Sequence, residues 1–361
     1  MHIPDGYLSP ATCVATYAAA LPFWYVAFGR VKRLLHTRMV PLLAVFSAFS
    51  FVIMMFNLPL PGGTTGHAVG VGIATIVLGP WASMVAISIA LLIQAIFFGD
   101  GGITTFGANC LNMAVVGSLV SYWTYTLIAG KSALGSSRRV VAAGIAGYLA
   151  INLAALLTAI EFGVQPMLFH DASGAPLYAP YPLTIAVPAM MIGHLTIAGL
   201  AELVISGGLV AYLQRANPDL LAFSVPNVAK KLATTSVWKS TLALWYLVAG
   251  LMILSPLGLI AAGTAWGEWG VEDFANAEVR QEILRASGNV APPTSAPKGM
   301  KQLASLWKAA VPDYAPSFMH NASVGYILSA VFGAGLILLL FLLSRNVRSR
   351  MSRQNCDSTD V

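Results

Sequence analysis

Residues 140–160 read VVAAGIAGYLAINLAALLTAI, 21 positions without one charged side chain. At about 1.5 Å per residue, a helix of that length crosses the roughly 30 Å hydrocarbon core of a bilayer. Outward from this run (140–161), comparable apolar stretches lie at 11–29, 40–58, 67–79, 81–98, 105–129, 183–212, 241–262 and 322–343. The third is short, and Gly79-Pro80-Trp81 separates it from the fourth. Nine spans are therefore expected. Composition agrees: of 361 residues 57% are hydrophobic and 9% charged, against roughly 25% charged in soluble domains. The fold class predicted is an all-α polytopic membrane protein.

Basic residues set the orientation. Arg30, Lys32, Arg33 and Arg38 follow the first run, and Lys131, Arg138 and Arg139 follow the fifth. Arg215, Lys230, Lys231 and Lys239 follow the seventh, and Arg345, Arg348, Arg350 and Arg353 follow the last. Nine spans put all of these on one side, which the positive-inside rule makes cytoplasmic. The chain is thus expected to be a multi-pass protein of a bacterial inner membrane, its N-terminus outside and its C-terminus in the cytoplasm. The net charge of +6 belongs to these loops and gives no nucleic-acid signature. The start, Met1 to Gly6, lacks a basic n-region, so no cleaved signal peptide is expected. Cys13, Cys110 and Cys356 show no paired spacing, and no disulfide framework is expected.

Two units are expected. Residues 1–215 hold seven spans with tight loops, and 216–239 form a basic cytoplasmic linker. Residues 240–345 form two spans around an outer loop, 263–320, and 346–361 a cytoplasmic tail. Within the outer loop, Glu268 to Arg285 reads as an amphipathic helix and residues 291–297, rich in proline, as extended linker. Small residues spaced by four, Ala11, Ala15 and Ala19 in the first span and Ala44 and Ala48 in the second, suit close helix contacts. Packing within the chain is their expected use, and docking of a partner the sharper alternative.

Histidine carries the chemistry. His36, His170 and His320 lie in loops and read as surface residues. His2 is different. The Met1 amine, the His2 amide nitrogen and the His2 Nδ1 close a five-membered and a six-membered ring on one ion, with all three nitrogens in a plane. A fourth nitrogen completes a square-planar site suited to Ni²⁺ or Cu²⁺. Histidine at position two is too large for methionine removal, so Met1 is expected to remain. His67 is the natural fourth ligand, because it closes an outer loop, Pro61-Gly62-Gly63-Thr64-Thr65-Gly66-His67, on the face where Met1 lies. Pro4 has no amide hydrogen and limits competing amide coordination. A second glycine-rich loop, Gly99 to Asn109, is placed to cap the same cavity, with Thr65, Asn109 and Asn112 around the ligands. His-Glu-x-x-His, Gly-x-Ser-x-Gly and the complete P-loop are absent, so no enzymatic activity is expected.

Met1-His2-Ile3-Pro4-Asp5-Gly6-Tyr7-Leu8-Ser9-Pro10 resembles the start of the CbiM/NikM family, the substrate-binding membrane components of energy-coupling factor transporters for cobalt and nickel. Gly62 to His67 and Gly101 to Asn109 resemble that family's other two motifs, in order, over residues 1–215. The resemblance implies a seven-helix bundle and a metal held by Met1, His2 and His67. Residues 240–345, with Thr264 to Gly270 and Leu306-Trp307-Lys308, resemble the small companion N component, as in a NikMN-type fusion. The outer loop lacks the literal Pro-Asp-Gly-Leu-Glu string of many such components. Pro4-Asp5 after Ile3 resembles the nickel branch more than the cobalt branch. The family implies as partners a transmembrane coupling protein and two cytosolic ATPases, with Ni²⁺ or Co²⁺ as cargo and no resident cofactor. A rival reading, from another class, is an ion-coupled permease using the intramembrane His194 and Glu202 as a proton relay.

Overall fold

The structure is a computed structural model that describes residues 1–34, 39–61, 63–222, 237–261 and 263–357. His36, Gly62, most of the linker 216–239 and the end of the tail lie outside the described residues. Among the described residues the regular structure is helical, apart from one small hairpin. In order come α1 (Pro10–Leu34), α2 (Met39–Met54), β1 (Leu58–Leu60) paired antiparallel with β2 (Thr64–Gly66), α3 (Val71–Leu78) and α4 (Pro80–Phe98). Next are α5 (Phe106–Ala129), α6 (Ser137–Leu168) and α7 (Leu183–Ala216). The second unit holds α8 (Val237–Leu254), α9 (Ala277–Ala286), α10 (Lys298–Ala304) and α11 (Ala322–Asp357).

Seven of these helices contain an apolar length sufficient to cross a membrane: α1, α4, α5, α6, α7, α8 and α11. The expected second span is the 16-residue α2, shorter but apolar on every side. Its faces are all used: every residue but Pro41 is buried, as a helix enclosed by others must be. The expected span at 67–79 needs correction. Only Val71–Leu78 is helical there, about 12 Å of rise, and His67 to Gly70 approach it as coil. Gly70, at φ 73, takes the left-handed turn that starts the helix. The Arg30 guanidinium lies 4.5 Å over the Trp81 ring. That contact brings the α3–α4 turn level with the far end of α1.

Small residues let the central helices touch. On α6, Ala142, Ala143, Gly144, Ala146, Gly147, Ala150, Ala154 and Ala155 are buried, and a Cβ on Gly147 would stand 2.6 Å from the Ser206 hydroxyl of α7. Without a hydrophobic drive between helices in lipid, such close packing is what holds a bundle together. Ala44 and Ala48 of α2 are buried as expected. Ala11, Ala15 and Ala19 are not: all three are exposed, because α1 turns its Cys13, Thr16 and Ala20 face inward. The expectation of packing within the chain fails for that stripe.

The second unit lies against the first. Tyr326 of α11 donates to the Met55 carbonyl at 2.9 Å, and Gly333 faces the Phe51 ring so closely that a Cβ would meet it at 2.1 Å. The expected helix from Glu268 to Arg285 is shorter, Ala277–Ala286. Its start is fixed by Asn276, whose side-chain oxygen accepts from Glu278 and Val279 N–H. Glu268 to Ala275 instead form turns that face the first unit.

Candidate metal centre

The first five residues fold inward. Met1, His2 and Ile3 are 1% or less exposed. Their clamp is the second glycine-rich loop. Asn109 accepts from the Ile3 N–H at 2.8 Å and donates to the Ile3 carbonyl at 3.1 Å, while Gly102 N–H donates to that same carbonyl at 2.9 Å. The Asp5 carboxylate accepts from the Ile103 and Thr104 N–H groups. Gly102 has no alternative here, since a Cβ would lie 2.4 Å from the Asp5 nitrogen.

This clamp sets His2 against His67. The two rings stack with centroids 4.8 Å apart, and His67 Nε2 lies 3.2 Å from His2 Nδ1. Two nitrogens bound at right angles to one ion, with bonds of about 2.0 Å, stand about 2.8 Å apart. The His67 Nδ1 donates to the Ala68 carbonyl at 3.1 Å, which leaves the Nε2 lone pair facing His2. Burial, then the neighbouring His2 and N-terminal amine, push the His67 imidazole well below its ordinary value, so it stands neutral as a ligand must. The His2 backbone N–H donates to no acceptor among the described residues, although its neighbour at Ile3 is bonded. A buried amide without a partner is rare, and it is the nitrogen that the chelate would recruit.

Two further carboxylates reach the centre, and the sequence reading names neither as a site residue. Asp100 Oδ1 lies 2.8 Å from His2 Nδ1. Its other oxygen accepts from the Tyr314 hydroxyl at 2.6 Å and from Gln94 at 3.1 Å. Burial alone would raise the Asp100 carboxyl, but the His2 imidazole outweighs it and holds the group below the usual carboxylate range. Glu268 Oε1 accepts from the Met1 amine at 2.8 Å. One donor atom each from His2, Asp100 and Glu268 lie within 4.8 Å of one another. Signals existed: Asp100 sits in the glycine-rich capping loop, and Glu268 inside the Trp266-Gly267-Glu268-Trp269 stretch.

The centre opens on a cavity of about 670 Å³ between the two units. Asp5, Asp100, Glu268, Glu272, Asp273 and Asp313 line it, with His67 and Thr65, and no Lys or Arg among the described residues does. Burial and the facing Asp100, Glu272 and Asp273 push the Asp313 carboxyl above its ordinary value. A cavity of one sign draws counter-ions inward.

The remaining expected residues fall in different places. Thr65 bridges to Ala265 of the second unit. Asn112 sits away from the N-terminal segment and donates to Thr158 at 3.2 Å and Glu161 at 2.7 Å. His194 and Glu202 are both buried but share no hydrogen bond: His194 Nδ1 donates to the Met190 carbonyl at 2.8 Å, and Glu202 is bonded to the start of α3.

Residues 2–220 match the model of a cobalt uptake substrate-specific transmembrane region, CbiM, and residues 240–349 match the PDGLE domain. The chain is 59% identical to the fused nickel transport protein NikMN of Rhodobacter capsulatus, across 98% of this chain and 99% of that protein. It is 43% identical to the probable fused nickel transport protein LarMN of Lactiplantibacillus plantarum, across 94% of this chain and 96% of that one. Among solved structures, the crystal structure of a transition metal transporter is 50% identical, with TM-score 0.57, across 62% of this chain and 98% of that one. The outer loop carries Pro297-Lys298-Gly299-Met300-Lys301, which has the length of the missing Pro-Asp-Gly-Leu-Glu string. It keeps the proline and glycine, has Met in the leucine place, and lysines in both acidic places. Its Met300 is 1% exposed and its backbone presses on Gly6, where φ is 92 and a Cβ would meet the Met300 carbonyl at 2.5 Å.

Proposed function

Because this chain belongs to the CbiM family of cobalt-uptake transmembrane proteins, joined to a PDGLE domain, we propose that it captures nickel, or cobalt, for import. The ion is held in a plane by the Met1 amine, the His2 amide nitrogen, the His2 Nδ1 and the His67 Nε2. The observation that carries this reading is the convergence of His67 Nε2 on His2 Nδ1, 3.2 Å apart and buried, beside a Met1 amine anchored at 2.8 Å. Four nitrogens in a plane suit Ni²⁺, and the full-length relatives named as nickel transport proteins favour that ion over cobalt.

The chain acts as a transport subunit. The CbiM/NikM resemblance implies that ATP is hydrolysed by two cytosolic ATPases, joined to the chain through a transmembrane coupling protein. The Ala11, Ala15 and Ala19 stripe, left uncovered on α1, offers such a protein a smooth contact. The N-terminus and the acidic cavity face outside, and the basic loops face the cytoplasm. Nickel uptake by the chain alone, in cells depleted of ATP but holding a proton gradient, tests the coupling. No uptake is expected. Robust uptake there would establish a self-sufficient permease instead.

The ion enters through the acidic cavity, gives up water, and displaces protons from the amine, the amide and the imidazole as it is bound. Asp100 and Glu268 hold the empty chelate: one faces the His2 Nδ1, the other takes the Met1 amine. When the ion takes His2 Nδ1, Asp100 loses that contact and keeps Tyr314 and Gln94. The coordinated amine retains hydrogens to donate to Glu268.

A further inference from the structure

Glu202 lies in α7, 0% exposed, where a lone carboxylate is expensive and is normally retained for a task. One oxygen accepts from the Val69 and Gly70 N–H groups, both at 2.9 Å. The other accepts from Gly72 N–H and from the Ser206 hydroxyl, both at 3.2 Å. These amides are the unsatisfied donors at the start of α3, where negative charge is favoured. Val69 N–H has a second significance. It belongs to the same peptide group as the Ala68 carbonyl, and that carbonyl accepts from His67 Nδ1 at 3.1 Å. A carboxylate, one peptide group and an imidazole therefore stand in line, and the imidazole presents its far nitrogen, Nε2, to His2 at 3.2 Å.

We propose that Glu202 is the positioning residue of His67, acting through the 68–69 peptide. This rests on the reading of His67 as a ligand. Histidines that bind metals commonly donate their other nitrogen to a carboxylate or carbonyl, which fixes tautomer and ring direction. Here the carboxylate is one peptide removed. By holding Val69 N–H it turns the Ala68 carbonyl toward Nδ1, which keeps the proton there and the lone pair on Nε2. Its four bonds also explain why residues 67–70 stay as coil and deliver His67 at the centre. A proton relay would need Glu202 to face His194, but the four bonds to Glu202 come from Val69, Gly70, Gly72 and Ser206, and the one bond of His194 goes to Met190.

The test uses the full chain carrying Glu202→Gln, whose amide cannot accept all four bonds. Nickel affinity measured by calorimetry is expected to fall about 10–100-fold, the visible band of planar nickel to shift, and Glu202→Asp to restore part of both. A purely structural role would lower thermal stability while leaving the band of bound nickel in place. Native affinity and an unshifted band in a folded Glu202→Gln protein would overturn the proposal. If Glu202→Gln does not fold, Glu202→Asp decides alone: its shorter reach is expected to weaken binding about 10-fold, and native affinity would overturn the proposal. His67→Ala separates the two layers. Nickel binding retained there defeats the ligand reading itself; binding lost there but kept in Glu202→Gln defeats only this inference.

Discussion

The Met1 amine and the Glu268 carboxylate stand 2.8 Å apart across 267 positions of sequence. The contact joins the first residue of the N-terminal unit to the loop that precedes the last helix, beside the candidate metal centre. It brings the second unit to the proposed site. With Glu268→Gln the amine loses its charged partner, and nickel affinity is expected to fall about 10-fold. Calorimetry on the purified chain checks this, and unchanged affinity would confine the second unit to a scaffold.

Among the described residues, the cavity leading to that contact carries six carboxylates and no Lys or Arg. Neutralising Glu272 and Asp273, by Gln and Asn, is expected to slow nickel association at low salt and leave the equilibrium constant nearly unchanged. In stopped-flow measurements the difference from the native chain should vanish at high salt. A loss that persists at high salt would mean these groups bind the ion directly.

Metal capture must release protons from the chelating nitrogens. Affinity is therefore expected to fall as the pH falls, and calorimetry in buffers of different ionisation enthalpy should register protons leaving. His67 contributes little to this loss near neutrality, because burial already holds its imidazole well below the ordinary value. It is neutral, and ready to bind, until the solution is distinctly acid. An affinity independent of pH between about 8 and about 6 would remove the amide and amine from the ligand set.

His194→Gln is expected to leave nickel binding close to native. The residue is 2% exposed, its Nδ1 donates to Met190 of its own helix at 2.8 Å, and among the described residues it makes no hydrogen bond to Met1, His2 or His67. Calorimetry beside His67→Ala makes the comparison. Equal losses in the two variants would place the ion deeper in the bundle.

The meeting of His2 and His67 was legible because the chemistry proposed for them is local. A chelate made of Met1 and His2 needs only ring sizes, and His67 needs only the count of spans that places its loop beside them. Asp100 and Glu268 were not legible in this way, since each meets the centre through folding across 98 and 267 positions, as His2 to Asp100 and Met1 to Glu268 show. The apolar run at 67–79 misled for a related reason. Hydropathy sees no difference between a full span and a short helix preceded by coil, and what makes the coil is a carboxylate 130 or more positions away. The Ala11, Ala15 and Ala19 stripe was read by spacing alone, which does not say whether the neighbour is in the same chain.

The central claim is that the free amine of Met1 is a ligand, and one added residue tests it most directly. A single alanine placed ahead of Met1 keeps every side chain, including His2 and His67, but carries the amine out of the five-membered ring. Nickel binding to the purified full chain is followed by calorimetry and by the visible band of the planar ion. The account predicts that the extended chain loses tight binding and the band, as His2→Ala and His67→Ala do, while an equal addition after Val361 changes neither. Full-strength binding with an unaltered band in the extended chain would contradict it.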